Sequence, residues 1–192
     1  LIHILLNRGA NIDTSHISYH RARRPLHIAS EHGKLDAIKL LLERGAYVHY
    51  KDHQEMTPLL VAAHHGQSDA IKLLLERGAS IHEKGVDDMT ALHYASSPEV
   101  VEELLKNHMN INQTDKYGRT PLNTACNNNI ISESGFSESE YNKKEVVQIL
   151  LANGADIDLA EPILCENNEI VDIIERWSFN NIISFLSSSD IP

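Results

Sequence analysis

Thr57-Pro58-Leu59-Leu60-Val61-Ala62 is the stretch that decides how this chain is read, because it recurs. Thirty-three residues earlier stands Arg24-Pro25-Leu26-His27-Ile28-Ala29, and thirty-three later Thr90-Ala91-Leu92-His93-Tyr94-Ala95. A fourth copy, Thr120-Pro121-Leu122-Asn123-Thr124-Ala125, follows after thirty. Copies are trailed by an apolar run that ends in a turn, Leu40-Leu41-Leu42 before Gly45-Ala46 and Leu73-Leu74-Leu75 before Gly78-Ala79. Such a period predicts one supersecondary unit stacked on copies of itself, with no single interior cleft and a long, shallow surface.

The residue types explain the unit. Pro at the second position starts a helix where its missing N–H costs nothing, and the Thr before it caps that helix. Leu26, Leu59, Leu92 and Leu122 are expected to point into the stack. A second helix carries apolar residues at helical spacing, as in Ala37, Ile38, Leu40, Leu41 and Leu42. Gly9, Gly45, Gly78 and Gly154 end that helix in the left-handed conformation that other residues adopt at a cost.

A T-P-L-H-x-A core at this period resembles the ankyrin repeat. The resemblance spans residues 1 to about 175. It implies an all-α fold, an ankyrin-repeat solenoid of helix–turn–helix units with projecting β-hairpin-like fingers and a helical C-terminal cap. The implied fingers are roughly 10–24, 46–57, 79–90 and 110–120, and only Asp115-Lys116-Tyr117-Gly118-Arg119-Thr120-Pro121 matches the family finger fully. The expected organisation is a partial N-terminal repeat (second helix) at 1–12, three to four repeats across 13–158, and a degenerate terminal repeat with a helical cap at 159–192. That cap reads as two short helices around Trp177. Because the chain opens inside a second helix, it reads as a piece of something longer.

The departures are individual. Arg24 replaces Thr, so the first cap is lost. The third unit drops three residues between its helices, where Ser97-Pro98 is expected to cap and start the second one, and that helix ends without Gly at His108-Met109. The fourth has Asn129 where Gly33 and Gly66 sit. It then inserts Ile130 through Asn142, a Ser- and Glu-rich segment too polar to pack, in which Phe136 is an odd apolar residue.

Net charge is −10, but residues 1–50 carry seven basic and four acidic groups. No broad basic face for phosphate backbones is present, so nucleic acid is not an expected partner. No apolar run approaches the roughly 20 residues of a membrane helix, so no membrane insertion is expected. Cys126 and Cys165 form no metal motif; Cys126 reads as a small core filler. A reducing cytoplasmic or otherwise intracellular setting fits, with a secreted effector acting inside a host cell as the alternative. The Asn- and Ile-rich composition suits an AT-rich genome, including intracellular bacteria or large viruses that deploy such repeats on host proteins.

Twelve histidines invite a metal reading. His27 and His93 instead fill the histidine slot of the family motif, where the resemblance implies that the imidazole hydrogen-bonds backbone and holds adjacent repeats. His32 and His65 are equivalent positions, but neighbouring helices lie roughly 8–10 Å apart whereas two zinc-bound nitrogens sit little more than about 3 Å from each other. No metal, cofactor or catalytic residue is therefore expected. Neither a nucleophile motif nor a phosphate loop is present. The resemblance places partner contacts on finger tips and on the exposed end of the first helix, facing a concave groove. Those positions are Tyr50, His53, Gln54, Met56, His64 and His65 in the second unit, Val86, Asp87, Asp88 and Met89 in the third, and Lys116, Tyr117, Asn127 and Asn128 in the fourth. Arg21, Arg23 and Glu31 extend the strip into the first unit.

The expected function is a non-enzymatic protein–protein interaction module, an adaptor or targeting arm of a longer protein. The alternative is a regulatory domain of a larger enzyme or channel. The expected partner is another protein, with basic and apolar character at the acidic end and an acidic patch for Arg21, Arg23 and Arg24. The chain itself is expected to be a monomer.

Overall fold

The computed structural model describes residues 11–13, 23–126, 143–157, 159 and 168–188, with side chains of the last helix as far as Asn180. The helix expected at the start, Gly9, Arg21, Asn127, Asn128, Asn129, the insert with Phe136, and Cys165 lie outside the described residues.

Helices alternate along the chain as the repeat requires. First helices are α1 (Pro25–Glu31), α3 (Pro58–His64), α5 (Ala91–Tyr94) and α7 (Pro121–Cys126). Second helices are α2 (Leu35–Glu43), α4 (Ser68–Glu76), α6 (Pro98–Lys106) and α8 (Lys143–Ala152). Each first helix packs on the next first helix and each second on the next second, giving two parallel layers. Leu26, Leu59, Leu92 and Leu122 are all buried between them, as the pattern requires, and Cys126 is a buried filler. On the second layer Ile38, Leu41, Ile71, Leu74, Val101 and Leu104 close the same core.

The helix starts follow from local chemistry. Thr57 Oγ1 accepts the Leu60 amide and Ser97 Oγ accepts the Val100 amide, both at 3.4 Å. Arg24 has no acceptor to offer, so α1 lacks that bond. Its guanidinium turns instead to the Asp13 carbonyl and lies 3.4 Å from the centroid of the Tyr50 ring. At the other end of the second helices Gly45, Gly78 and Gly154 have φ near +90° (+88°, +92° and +88°). His108 occupies the equivalent slot after α6 at φ +61°, a conformation its Cβ makes costly.

His27 and His93 tie one unit to the next. The Thr90 amide donates to His93 Nδ1 at 3.1 Å, which obliges Nε2 to carry the hydrogen and donate to the Arg119 carbonyl at 2.9 Å. His27 does the same, accepting from the Arg24 amide at 3.3 Å and donating to the carbonyls of Tyr50 at 2.9 Å and Met56 at 3.1 Å. Burial holds both imidazoles below their ordinary pKa. A proton added at Nδ1 would also face an amide N–H. The unfolded chain therefore binds these protons first, and stability falls as pH drops below about 6.5. In the fourth unit Asn123 takes the slot and accepts the Thr120 amide at 3.0 Å through Oδ1, without a titrating group. We expect a His27→Asn, His93→Asn variant to lose this acid sag between pH 7.5 and 5, read as urea midpoint against pH. Parallel curves for variant and wild type would contradict it.

Among the described residues the second, third and fourth fingers are hairpin-like reverse turns, closed by Asp52 N to Met56 O at 3.0 Å, Gly85 N to Met89 O at 2.9 Å and Asp115 N to Arg119 O at 2.9 Å, with a second backbone bond inside each turn. One expectation about shape is corrected: the region read as two short helices is one helix, α9 (Asn168–Ser188), of 21 residues. Nothing from Ile170 to Leu186 breaks it, since the stretch holds neither Gly nor Pro. Ile170 is fully buried beside α8, with Ile173, Ile174 and Trp177 packed against the same core.

Candidate protein-interaction site

The fourth finger shows how a tip is built. Asp115 is buried, and its Oδ1 accepts the amides of Tyr117 at 2.8 Å and Arg119 at 2.9 Å, while Oδ2 accepts Arg119 Nε at 2.6 Å. Gly118 turns the chain at φ +79°. In the second finger Asp52 repeats this, accepting the amides of Gln54 at 2.9 Å and Met56 at 3.0 Å. Glu55 stands in the glycine slot at φ +54°.

The third finger solves the problem differently. Gly85 replaces the aspartate, and a Cβ there would lie 2.6 Å from the Tyr94 hydroxyl oxygen. The phenol of Tyr94, buried in α5, thus occupies the space that a carboxylate fills in the other fingers. Burial, followed by the nearby Asp87 charge, pushes its pKa upward, so it stays protonated. Both Asp87 and Asp88 turn with positive φ, +56° and +63°. The third and fourth tips are joined by the Lys116 amide donating to the Asp87 carbonyl at 2.8 Å and by Lys116 Nζ against Asp87 Oδ1 at 3.0 Å.

The residue two places before each first helix points down from the finger. Met56 is 3% and Met89 5% exposed, so both belong to the core, and their assignment as partner contacts is corrected. Arg23 fills the same slot and is also buried, which corrects its assignment too. Its Nε pairs with Asp52 Oδ2 at 3.3 Å and its Nη1 with Glu31 Oε2 at 2.5 Å. Burial alone would raise the Glu31 carboxyl, but the Arg23 hydrogen bond and charge, with His65 and His32 behind them, hold it below the usual range. An acidic partner patch expected for Arg23 and Arg24 is thus replaced by internal partners, Asp52 and Glu31 for one and the Tyr50 ring for the other.

The remaining positions do form a strip. Tyr117 is 60% and Val86 42% exposed, with His53, Asp88 and Lys116 also exposed. Arg119 stands 4.8 Å and Lys116 5.1 Å from the Tyr117 ring centroid. Gln54, Tyr50, His64 and His65 are half-buried along the same side of the second unit. His64 meets the Tyr94 ring edge-on at 6.3 Å, and His65 Nε2 lies 3.5 Å from Glu31 Oε1. Tyr47, 54% exposed and edge-on to Tyr50 at 4.9 Å, was not anticipated. Its signal lay in an aromatic after Gly45-Ala46, where the next unit has Ser80.

Among the described residues no three His, Cys, Asp or Glu gather closely enough to hold a metal ion. No described helix is long and apolar enough to cross a membrane. A search of curated proteins returned no match. The family model for ankyrin repeats (3 copies) matches residues 1–85 and again 81–161. With the period, the two helical layers and that match in agreement, the chain belongs to the ankyrin repeat family.

Proposed function

We propose that this chain is a non-enzymatic recognition module that docks an extended segment of another protein across its second, third and fourth finger tips, as the adaptor or targeting arm of a longer protein. Ankyrin repeats are in general protein–protein interaction modules and bind other proteins. The observation that carries the finer reading is the pair Tyr117 and Val86, large apolar side chains exposed on adjacent tips that are fastened to each other. Aromatic residues at such positions are enriched where interfaces concentrate their energy. Glu55 and Asp88 flank them with exposed carboxylates, each only loosely paired, at 3.8 Å to Lys51 and 3.7 Å to Lys84. A partner segment with apolar and basic residues fits that chemistry.

The test is a displayed random-peptide library selected on the whole chain. Selected peptides should carry apolar and basic residues and should bind a Tyr117→Ala, Val86→Ala, His53→Ala variant at least about tenfold more weakly. These three side chains are exposed, so the variant should keep its melting temperature. Peptides that bind wild type and variant equally would mean that recognition lies elsewhere.

A further inference from the structure

A row of charges ties the first two units together, and its sum is not zero. Asp52 of the second finger is fully buried and takes Arg23 Nε at 3.3 Å, while Arg23 Nη1 reaches on to Glu31 Oε2 at 2.5 Å. One guanidinium thus answers two carboxylates, and one negative charge is left in excess. It does not come out at Asp52, whose other oxygen accepts the Gln54 and Met56 amides. It comes out at Glu31, the last residue of α1, whose side chain is 20% exposed. Glu31 Oε1 lies 3.5 Å from Nε2 of His65, which directly follows α3 at the same end of the first-helix layer. The corresponding slot of α3 holds His64, so the second unit does not repeat this carboxylate.

A surplus charge in a half-buried site is stabilised by a cation brought close to it. The groups around His65 do not supply a permanent one. Arg23 is already shared between two carboxylates. His64, on the same helix, meets the His65 ring edge-on at 5.1 Å and leads on to the phenol of Tyr94 in α5. Gln67, at the start of α4, is neutral and donates to the His65 carbonyl at 3.0 Å. His32, just after α1, acts on Glu31 as a cation only when it carries a second proton. Two sources of positive charge remain, a proton on His65 or a basic side chain from outside. We propose that Glu31 anchors a lysine or arginine of the docked partner segment, and that a proton on His65 competes with that side chain for the same carboxylate. The proposal takes its occupant from the finger-tip reading and extends the contact one unit towards the N-terminus. It also gives recognition a pH dependence. Histidine exchanges its proton between about pH 5 and 8, so acidification should release the segment. By linkage, the docked cation lowers the affinity of His65 for a proton by the same factor.

The test uses displayed random peptides selected on the whole chain at about pH 7.5. Selected peptides should carry Lys or Arg at a fixed position, towards the end that lies on the second finger. Glu31→Gln should bind them at least about fivefold more weakly. In the wild-type chain the titration midpoint of His65, followed by NMR, should fall by at least about 0.7 pH units when the tightest peptide is bound, the same fivefold on a pH scale. That midpoint is read in the unaltered chain, so a loss of stability in Glu31→Gln does not blur it. A midpoint that stays or rises, or a Glu31→Gln variant that binds like wild type, overturns the proposal. If the Tyr117, Val86 and His53 variant still weakens binding in that case, the finger-tip reading stands without the anchor. A midpoint that falls while that variant binds like wild type supports the anchor and sinks the finger-tip reading. A library that yields no binding peptide overturns both.

Discussion

Asp52→Ala is expected to lower stability by about 3 kcal/mol or more, and the melting temperature by roughly 10 °C, while leaving every apolar core residue in place. Two losses coincide. The side chain is fully buried, and its two oxygens serve different neighbours. Oδ1 holds the amides of Gln54 and Met56 and so makes the second finger turn. Oδ2 takes Arg23 Nε from the first finger. Truncation leaves buried amides unsatisfied and strips one of two carboxylates from a guanidinium that is itself buried. Asp52→Asn separates the two roles. It keeps the Oδ1 acceptor for the turn but replaces Oδ2 with an NH2 donor facing Arg23 Nε–H, so it loses the charge pairing alone and should cost less than Ala. Urea denaturation of both variants followed by circular dichroism reads the difference. Equal losses would mean that the charge pairing, rather than the turn, carries the whole effect.

Restoring the family residue in the third finger is expected to harm the protein. Gly85→Asp puts a carboxylate where the Tyr94 hydroxyl already sits, 2.6 Å from the first atom to be added, with ring carbons at 3.0 and 3.1 Å. Overpacking of this kind costs typically about 1–3 kcal/mol. Adding Tyr94→Val, the residue of the second unit at that position (Val61), should recover much of the loss. Tyr94→Val alone leaves a cavity and a finger without its polar anchor, so it should also destabilise, by about 2–4 kcal/mol. The two single variants and the double form a cycle with a coupling of opposite sign to the single losses. Additive losses in thermal unfolding would show that the hydroxyl does not stand in for the aspartate.

The repeat made most of the architecture legible. Pro25, Pro58, Pro98 and Pro121 all start helices, and Gly45, Gly78 and Gly154 all end them, because these residue types act through their own backbone geometry. The backbone bridges of His27 and His93 were implied by the family motif. The site was less legible, because a finger reads as a solvated loop and loop position says little about direction. On that ground the pattern places Met56 and Met89 at the tips, although both are buried. Yet Arg23, Met56, Met89 and Arg119 share one register slot, and a long unbranched side chain in every unit marks a space to be filled under the turn. The exchange of Asp for Gly85 with Tyr94 was invisible for another reason: it joins two residues nine apart through a contact that no periodicity encodes. The single helix α9 is not legible because the apolar residues shift phase after Trp177, and a phase shift alone does not distinguish one helix from two.

Recognition along the open edge of the stacked units is tested most directly by hydrogen exchange of the whole chain with and without the tightest selected peptide. Slowed exchange should be confined to the tips, around residues 50–55, 84–88 and 115–119, together with the end of α3 at His64 and His65. Protection that appears instead on the second-helix layer, at α2, α4 and α6, with the tips unchanged, would contradict it.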